Sequence, residues 1–369
     1  MESSSKMPDA PDRSLLSTKA AELLIDGLAR FDRPHISLSV TIQSLDIPRQ
    51  PLSGFETNIS GSFSAELYAP SAAGKADDLP MILYCHGGGY RHGNTLTHRG
   101  VTTGLAKRGV RVLSINYRLA PFPAAWTDGL SAYRYLLESI NIPASNIVIS
   151  GDSAGGGLTY GIALLCRDQG LPMPAGLAPI SPWVDISCAG PCFQFDDEFA
   201  ADILVPANLS KSYAKIPSHA RLPYVSPLYD IPSKRSLLPA QIITTGTVDR
   251  LLAECLAMYL KRTEAGEIVQ LYIFEDGMHV FQLLPFIPSC TTALDLGVSF
   301  AKDVCNGKDI RSATFWVKND GKTVTEIPRQ HVKNRLEELL NRAKKAIGDD
   351  PVKLNGLAPY SISVAQPKL

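Results

Sequence analysis

The sequence has neither a long apolar run nor an excess of charge of either sign. No window approaches the roughly 20 consecutive apolar residues that a transmembrane helix needs, although 45% of the 369 residues are hydrophobic. Lys and Arg total 36, as do Asp and Glu, so the net charge is zero. With no basic excess, there is no electrostatic reason to expect a nucleic-acid or anionic-membrane partner. The composition favours a protein that buries one sizeable core.

Cysteine is sparse, and the seven present are scattered: Cys85, Cys166, Cys188, Cys192, Cys255, Cys290 and Cys305. An odd number with no dense framework indicates free thiols in a reducing compartment. Cys188 and Cys192 are close enough in sequence to suggest a pair, but no second Cys/His pair completes a metal site. We therefore expect no disulfide scaffold and no bound metal.

The N-terminal residues lack the apolar segment that a secretory signal peptide contains. Residues 1–13 are polar and charged. We therefore expect a soluble, cytoplasmic protein. The last three residues, Pro367-Lys368-Leu369, resemble the C-terminal Ser-Lys-Leu type of peroxisomal address, which leaves the peroxisome as the alternative location.

Short apolar runs separated by helix-length segments occupy the middle of the chain. These runs suit strands buried on both faces of a parallel sheet, and they cover residues 81–85, 110–115, 147–150, 176–180, 241–245 and 269–274. Helices are predicted between them at residues 97–107, 126–139, 155–169 and 251–265. The predicted fold class is α/β, with a mostly parallel, doubly wound sheet and helices on both faces.

Three segments outside this alternation set the predicted domain boundaries. Residues 1–35 form an N-terminal segment that contains an amphipathic helix at 14–31. Residues 36–304 form the main α/β domain, and its stretch 187–226 has no strand pattern. That stretch is interpreted as an insertion that forms a cap with the N-terminal helix, or else as an ordinary surface loop. Residues 305–369 form an extension beside the core, with a hairpin followed by a helix.

The strongest chemical signal is Gly151-Asp152-Ser153-Ala154-Gly155, which follows a predicted strand and opens a predicted helix. A serine on such a sharp turn stands above the sheet edge with its hydroxyl exposed. Glycines are needed there because side chains would clash with the neighbouring backbone. The helix N-terminus adds free N–H groups and partial positive charge beside a developing anion. The pentapeptide predicts Ser153 as a nucleophile.

A second signal is His86-Gly87-Gly88-Gly89-Tyr90, directly after the predicted strand at 81–85. Consecutive glycines leave backbone N–H groups unshielded, and donors aimed at an oxyanion are worth about 3–4 kcal/mol each. We expect Gly88 and Gly89 as donors, Ala154 N–H as the third, and His86 as the residue that orients the loop. A phosphate-binding loop would instead need the Lys and Ser/Thr of a P-loop, which are absent.

A serine nucleophile needs a histidine that accepts its proton and a carboxylate that orients the histidine. In this type of sheet the histidine comes last along the chain. Of the three histidines after Ser153, His279 lies just past the last strong strand, where a loop at the sheet edge is expected. His219 falls in the insertion, and His331 begins the C-terminal helix. His279 is therefore the predicted base.

The predicted acid is Asp249, which follows the strand at 241–245. Sites of open α/β sheets gather at the carboxyl ends of the strands, which is where Asp249 is expected. Two other carboxylates compete with it. Asp276 is only three residues from His279 and is expected to face solvent, whereas Asp185 is expected to anchor its own loop.

In their order, these motifs resemble those of the hormone-sensitive-lipase-like family of α/β-hydrolases, over roughly residues 35–300. The matching pieces are His86-Gly-Gly-Gly-Tyr90, Tyr117-Arg-Leu-Ala-Pro121, Gly151-Asp-Ser-Ala-Gly-Gly156, Ser181-Pro-Trp-Val-Asp185, Asp249 with Leu251 and Glu254, and His279 with Phe281. The resemblance implies an α/β-hydrolase fold with an N-terminal helical cap and a triad of Ser153, Asp249 and His279. It also implies an oxyanion loop at residues 86–89 and cofactor-free hydrolysis of short to medium acyl esters.

Two departures from the family pattern bear on the substrate. Phe122-Pro123-Ala124 follows Pro121 at once, whereas the family usually has a Glu-containing stretch between them. A few residues are therefore missing beside the pocket, which changes its expected shape. The stretch from about residue 305 lies outside the family core. Relatives with such variations occur in secondary metabolism, which favours a natural-product acetyl ester or lactone as substrate by analogy.

The expected partner is a small-molecule ester, cleaved through an acyl-enzyme on Ser153. Amide or formamide hydrolysis and acyl transfer to another acceptor would use the same triad, so the sequence leaves them open. A non-catalytic ligand receptor on this scaffold would be expected to lack a triad member, and all three are present. A homodimer is also left open.

Overall fold

A computed structural model of the chain describes residues 39–71, 78–119, 121–195, 198–199, 202, 217–232 and 236–361. The helix predicted at 14–31 and the C-terminal tripeptide 367–369 lie outside the described residues, as do residues 203–216 of the insertion. The cap therefore stays a prediction. None of the described helices is long and apolar enough to cross a membrane.

The described residues form one ten-stranded sheet in the order β1-β2-β4-β3-β5-β6-β7-β8-β9-β10. Strands β3 to β9 run parallel, while β1, β2 and β10 pair antiparallel with their neighbours. The strands are β1 (Val40–Pro48), β2 (Ser62–Pro70), β3 (Met81–Cys85), β4 (Arg111–Ile115), β5 (Ile147–Asp152), β6 (Gly176–Ile180), β7 (Ala240–Gly246), β8 (Val269–Phe274), β9 (Ala313–Val317) and β10 (Val324–Ile327).

Helices cover both faces of this sheet. They are α1 (Arg99–Lys107), α2 (Ala124–Glu138), α3 (Ala154–Asp168), α4 (Leu252–Glu264), α5 (Pro288–Cys305), α6 (Arg329–Ile347) and α7 (Pro351–Gly356). Successive side chains of a strand point to opposite faces. In β3, Leu83 and Cys85 accordingly join the core cluster that holds the apolar side chains of α2, α3, α4 and α6. Ile82 and Tyr84 join the cluster under α1 and α5.

The parallel order brings the carboxyl ends of β3, β5, β7 and β8 to one edge of the sheet, where the loops that carry the predicted site residues emerge. The α/β fold class is therefore confirmed, and the six predicted strands lie within one or two residues of the observed ones.

Two features of the C-terminal third differ from the sequence-based expectation. Helix α5, whose first residue is Pro288, was not predicted. The hairpin of β9 and β10 does not lie beside the core, because β9 pairs in parallel with β8 and so continues the central sheet. The backbone groups at the free edge of β8 obtain hydrogen-bond partners in this way.

Candidate active site

Ser153 occupies a sharp turn between the end of β5 and the start of α3. Its backbone has φ +54° and ψ −118°, a conformation that side-chain-bearing residues rarely adopt. A Cβ atom on Gly155 would lie 1.9 Å from the Cys85 carbonyl oxygen, and one on Gly151 would lie 2.4 Å from it. This confirms the expectation that larger residues at the two glycines would clash. The turn is thus held tightly against the end of β3.

The structure brings Ser153, His279 and Asp249 into one hydrogen-bonded chain. The Ser153 hydroxyl donates to His279 Nε2 over 2.8 Å. His279 Nδ1–H donates to Asp249 Oδ1 over 3.0 Å. The exposed fractions of the three residues are 7%, 3% and 0%, so the chain of bonds is largely shielded from water. Residues 126 positions apart therefore meet within proton-transfer distance.

The charges around His279 favour its protonated, imidazolium form. Burial lowers the pKa of His279, but the nearby carboxylates, Asp249 first among them, raise it above the ordinary value. Burial likewise opposes ionisation of Asp249. The charge attraction of His279 and the hydrogen bonds that the Asp249 carboxylate accepts, from His279 first, nevertheless hold the pKa of Asp249 below its ordinary value. Asp249 is therefore ionised beside the imidazole.

The competing residues lie elsewhere. Asp276 is exposed and accepts a hydrogen bond from the Asn319 side chain, as expected of a residue that faces solvent. Asp185 is buried and accepts bonds from Ser187 and Tyr360, which confirms its role as a loop anchor. His219 packs its ring against Phe122, and His331 lies in the first turn of α6.

The glycine run after β3 lies against the serine turn. Within the described ranges, no acceptor pairs with the N–H groups of Gly88, Gly89 or Ala154. Gly88 and Gly89 have positive φ angles of 111° and 61°, which glycine adopts most readily. The N–H of Ala154 begins α3, where the helix dipole favours negative charge. These three N–H groups are the ones expected from the sequence as oxyanion donors, and their role stays a prediction.

His86 is placed to orient this loop. Its Nδ1–H donates to the Gly87 carbonyl oxygen over 2.7 Å, and its ring stacks on Tyr117 with centroids 4.2 Å apart. Burial and the neighbouring His98 lower the pKa of His86 to about 4, so its ring is neutral. A neutral, stacked ring suits a structural role in the loop.

Asp152 holds the same loop from the other side, and the sequence alone did not reveal this. Its Oδ1 accepts hydrogen bonds from Gly87 N–H (3.0 Å) and from the Tyr84 hydroxyl (2.6 Å). Its Oδ2 accepts from His98 Nε2–H over 3.3 Å. Because the Gly87 N–H is bonded to Asp152, Gly87 helps to fix the shape of this loop and does not contribute a free donor.

A second unforeseen carboxylate, Asp202, lies directly behind the triad. It accepts hydrogen bonds from the backbone N–H groups of His279 (2.9 Å) and Arg250 (2.8 Å). These partners are 77 and 48 positions away in sequence. No local spacing could have indicated such contacts, because only the tertiary structure brings the three segments together.

Gly88→Ala is expected to lower kcat for ester hydrolysis by about 10²- to 10³-fold, the loss typical for one oxyanion donor. An added Cβ would lie 2.3 Å from the His92 carbonyl oxygen at a φ of +111°, so the loop must shift. Steady-state kinetics with p-nitrophenyl acetate measure the effect. Gly100→Ala is the matched control, because nothing lies within 4 Å of its added Cβ. Wild-type kcat in the Gly88 variant would contradict a role for this loop in the reaction.

Comparisons with known proteins identify the family of this chain. A family model described as alpha/beta hydrolase fold matches residues 82–283. An acetyl-hydrolase of Streptomyces hygroscopicus is 32% identical over 250 residues, which cover 66% of this chain and 80% of that protein. An ethyl acetate hydrolase of Pseudomonas putida is 32% identical over 227 residues, which cover 58% and 70%. A crystal structure of a hormone-sensitive-lipase homologue from a metagenome library is 32% identical, with a TM-score of 0.66, and the match covers 79% of this chain and 96% of that one.

The chain belongs to the α/β-hydrolase family, in its hormone-sensitive-lipase-like branch. Its reaction class is carboxylic-ester hydrolysis. The resemblance seen in the sequence motifs is therefore confirmed for the family and for the class of reaction.

Proposed function

We propose that the chain hydrolyses small-molecule esters of short acyl groups, acetyl esters above all, through an acyl-enzyme on Ser153. The observation that carries the proposal is the chain of hydrogen bonds from the Ser153 hydroxyl through His279 to Asp249, with donor–acceptor distances of 2.8 and 3.0 Å. A serine hydroxyl becomes a useful nucleophile only when a base accepts its proton, and this arrangement supplies that base.

The first half of the proposed reaction transfers the acyl group to the enzyme. His279 Nε2 takes the hydroxyl proton while Ser153 Oγ attacks the ester carbonyl carbon. The negative charge on the tetrahedral oxygen is stabilised by the N–H groups of Gly88, Gly89 and Ala154. The intermediate collapses when the imidazolium returns its proton to the departing alcohol. Asp249 keeps the imidazole in the required tautomer and stabilises its charged form.

The second half releases the acid. A water molecule takes the place of the alcohol, gives a proton to His279 Nε2 and attacks the acyl-enzyme carbonyl. A second tetrahedral oxyanion forms in the same position, and the proton returns to Ser153 as the acid leaves. Every proton moves through one imidazole, so this reaction needs no cofactor.

The short acyl group is supported by the relatives. The two proteins at 32% identity are named for acetyl groups and for ethyl acetate, which share a two-carbon acyl part. The alcohol part is less constrained. The chain lacks the stretch that the family usually has between Pro121 and Phe122, beside the expected pocket, so the pocket is expected to differ in shape. By analogy with relatives in secondary metabolism, the proposed physiological substrate is a natural-product acetate or a lactone.

The test is a comparison of kcat/KM for the p-nitrophenyl esters of acetic, butyric and octanoic acid. We expect the acetate to exceed the octanoate by tenfold or more, since each misfitting methylene changes kcat/KM by about 10- to 200-fold. p-Nitroacetanilide is the matched amide, and it is expected to react far more slowly. Natural-product acetates and lactones are then tested at equal concentration.

Three results would change this proposal. An octanoate preference would contradict the short acyl group. Faster cleavage of the anilide would indicate an amidase, and acetylation of an added alcohol in preference to water would indicate an acyltransferase. A cytoplasmic location, with the peroxisome as the alternative, stays a prediction, and so does a homodimer.

A further inference from the structure

Asp202 connects the two loops that carry the proposed acid and base. Its Oδ1 accepts the backbone N–H of His279, and its Oδ2 accepts the backbone N–H of Arg250, which directly follows Asp249. The carboxylate is buried, with 8% of the residue exposed. One side chain therefore fixes the distance between the loop that follows β7 and the loop that follows β8.

Asp202 also contributes charge to the site. Burial and the negative charge of Asp249 raise the pKa of Asp202 to about 6, while His279 and the two backbone donors oppose this rise. Above that pH, Asp202 is a second carboxylate beside the imidazole and helps raise the pKa of His279. Among the described residues, the other charged groups that act on the imidazole are Asp249 on the acid loop and Asp152 at the serine turn. Arg250 contacts Asp202 through its backbone N–H, while its guanidinium donates to the Cys192 carbonyl oxygen.

The C-terminal extension contacts residues that lie a few positions before Asp202 in sequence. Glu198 forms ion pairs with Arg335 and Arg342, both on α6. The Arg342 guanidinium also lies 4.2 Å from the centre of the Phe195 ring, and Phe199 is fully buried in the core. The residues that α6 contacts, Phe195 and Glu198, are therefore only a few positions from Asp202 in sequence.

The extension also contacts residues 185 and 189, which lie earlier in the chain than Glu198. The Tyr360 hydroxyl donates to Asp185 Oδ2 over 3.0 Å, and both groups are buried. Gly356 of α7 lies against Ala189, since a Cβ on it would be 2.7 Å from the Ala189 Cβ. Residues 329–361 thus contact the stretch from 185 to 199 at both ends. They lie beyond the residues 82–283 that the family model matches.

We propose that Asp202 is a positioning residue that fixes the Asp249 and His279 loops relative to each other, and that residues 329–361 hold Asp202 in place. The inference rests on the proposed triad. It assigns a function to residues 329–361 of the C-terminal extension: they stabilise the segment on which the geometry of the acid and base depends.

Asp202→Asn tests the positioning role. The amide keeps one oxygen acceptor but loses the second acceptor and the negative charge. We expect kcat for p-nitrophenyl acetate to fall about 10- to 100-fold, as for a small misplacement of reacting groups, with KM changed less than threefold. The acid limb of the kcat/KM profile should move to lower pH, because a negative charge that raises the pKa of His279 is removed.

Asp230→Asn is the matched control. Asp230 is also a buried carboxylate, but it pairs with Arg262 and Arg167, on α4 and α3. This change should lower the melting temperature without moving the acid limb. If Asp202→Asn also leaves kcat and the acid limb at wild-type values, the positioning role is wrong.

The extension is tested by the double variant Arg335→Gln/Arg342→Gln, which changes partly exposed side chains and so informs even if Asp202→Asn does not fold. We expect the double variant to lose less kcat than Asp202→Asn does, and to cause no further loss when the two changes are combined. The control is Arg311→Gln, whose ion pair with Glu326 is exposed, and it should keep the wild-type kcat. Wild-type kcat in the double variant would overturn the role of the extension. Failure of the proposed triad would appear separately, as ester cleavage retained by Ser153→Ala.

Discussion

Ser153→Ala is expected to lower kcat for p-nitrophenyl acetate by about 10⁴- to 10⁶-fold, the range found when a serine hydrolase loses its nucleophile. Alanine keeps the Cβ and tolerates the existing backbone at φ +54° no worse than serine. The lost hydrogen bond to His279 is worth only about 1 kcal/mol, so the fold should persist. Initial rates, melting temperature and fluorophosphonate labelling followed by mass spectrometry measure the result.

Ser150→Ala is the matched control for the nucleophile. Ser150 is also buried at the end of β5, but its hydroxyl donates to the Ala178 carbonyl oxygen over 2.7 Å. The change should cost about 1 kcal/mol of folding free energy and leave both kcat and labelling intact. If the Ser153 variant still hydrolyses the ester or still takes up the probe, the proposed mechanism fails.

Asp249→Asn is expected to lower kcat by about 10⁴-fold with little change in KM. The amide has no negative charge to stabilise the imidazolium. Its NH₂ group can also face His279 Nδ1, which places the imidazole proton on the nitrogen that must accept from Ser153. The measurement is kcat across pH with p-nitrophenyl acetate, together with the melting temperature, since Asp249 is fully buried.

Asp276→Asn separates the acid from its nearest competitor in sequence. Asp276 is three residues from His279 but is exposed, and it contacts Asn319. We expect its kcat to stay within twofold of the wild type. A large loss in the Asp276 variant, with activity preserved in the Asp249 variant, would exchange the assignments of the two carboxylates.

Much of the site could be predicted because its parts are local. The serine turn and the glycine run each depend on steric limits within a few residues, and the glycines at 151 and 155 are needed whatever surrounds the sheet. The carboxylates were harder to assign. Asp249, Asp276 and Asp185 all follow predicted strands, and only their burial and their partners distinguish them.

The sequence by itself determined the parallel α/β sheet and the sharp turn that carries Ser153, and it predicted the order of nucleophile, acid and base, since apolar periodicity and glycine sterics act over short stretches of chain. Only the tertiary structure decided that β9 joins the sheet, that Asp202 bridges the Arg250 and His279 backbones, and that α6 pairs with Glu198. These contacts join segments tens of residues apart, and the packing of the whole chain, which no local pattern encodes, determines which distant groups meet.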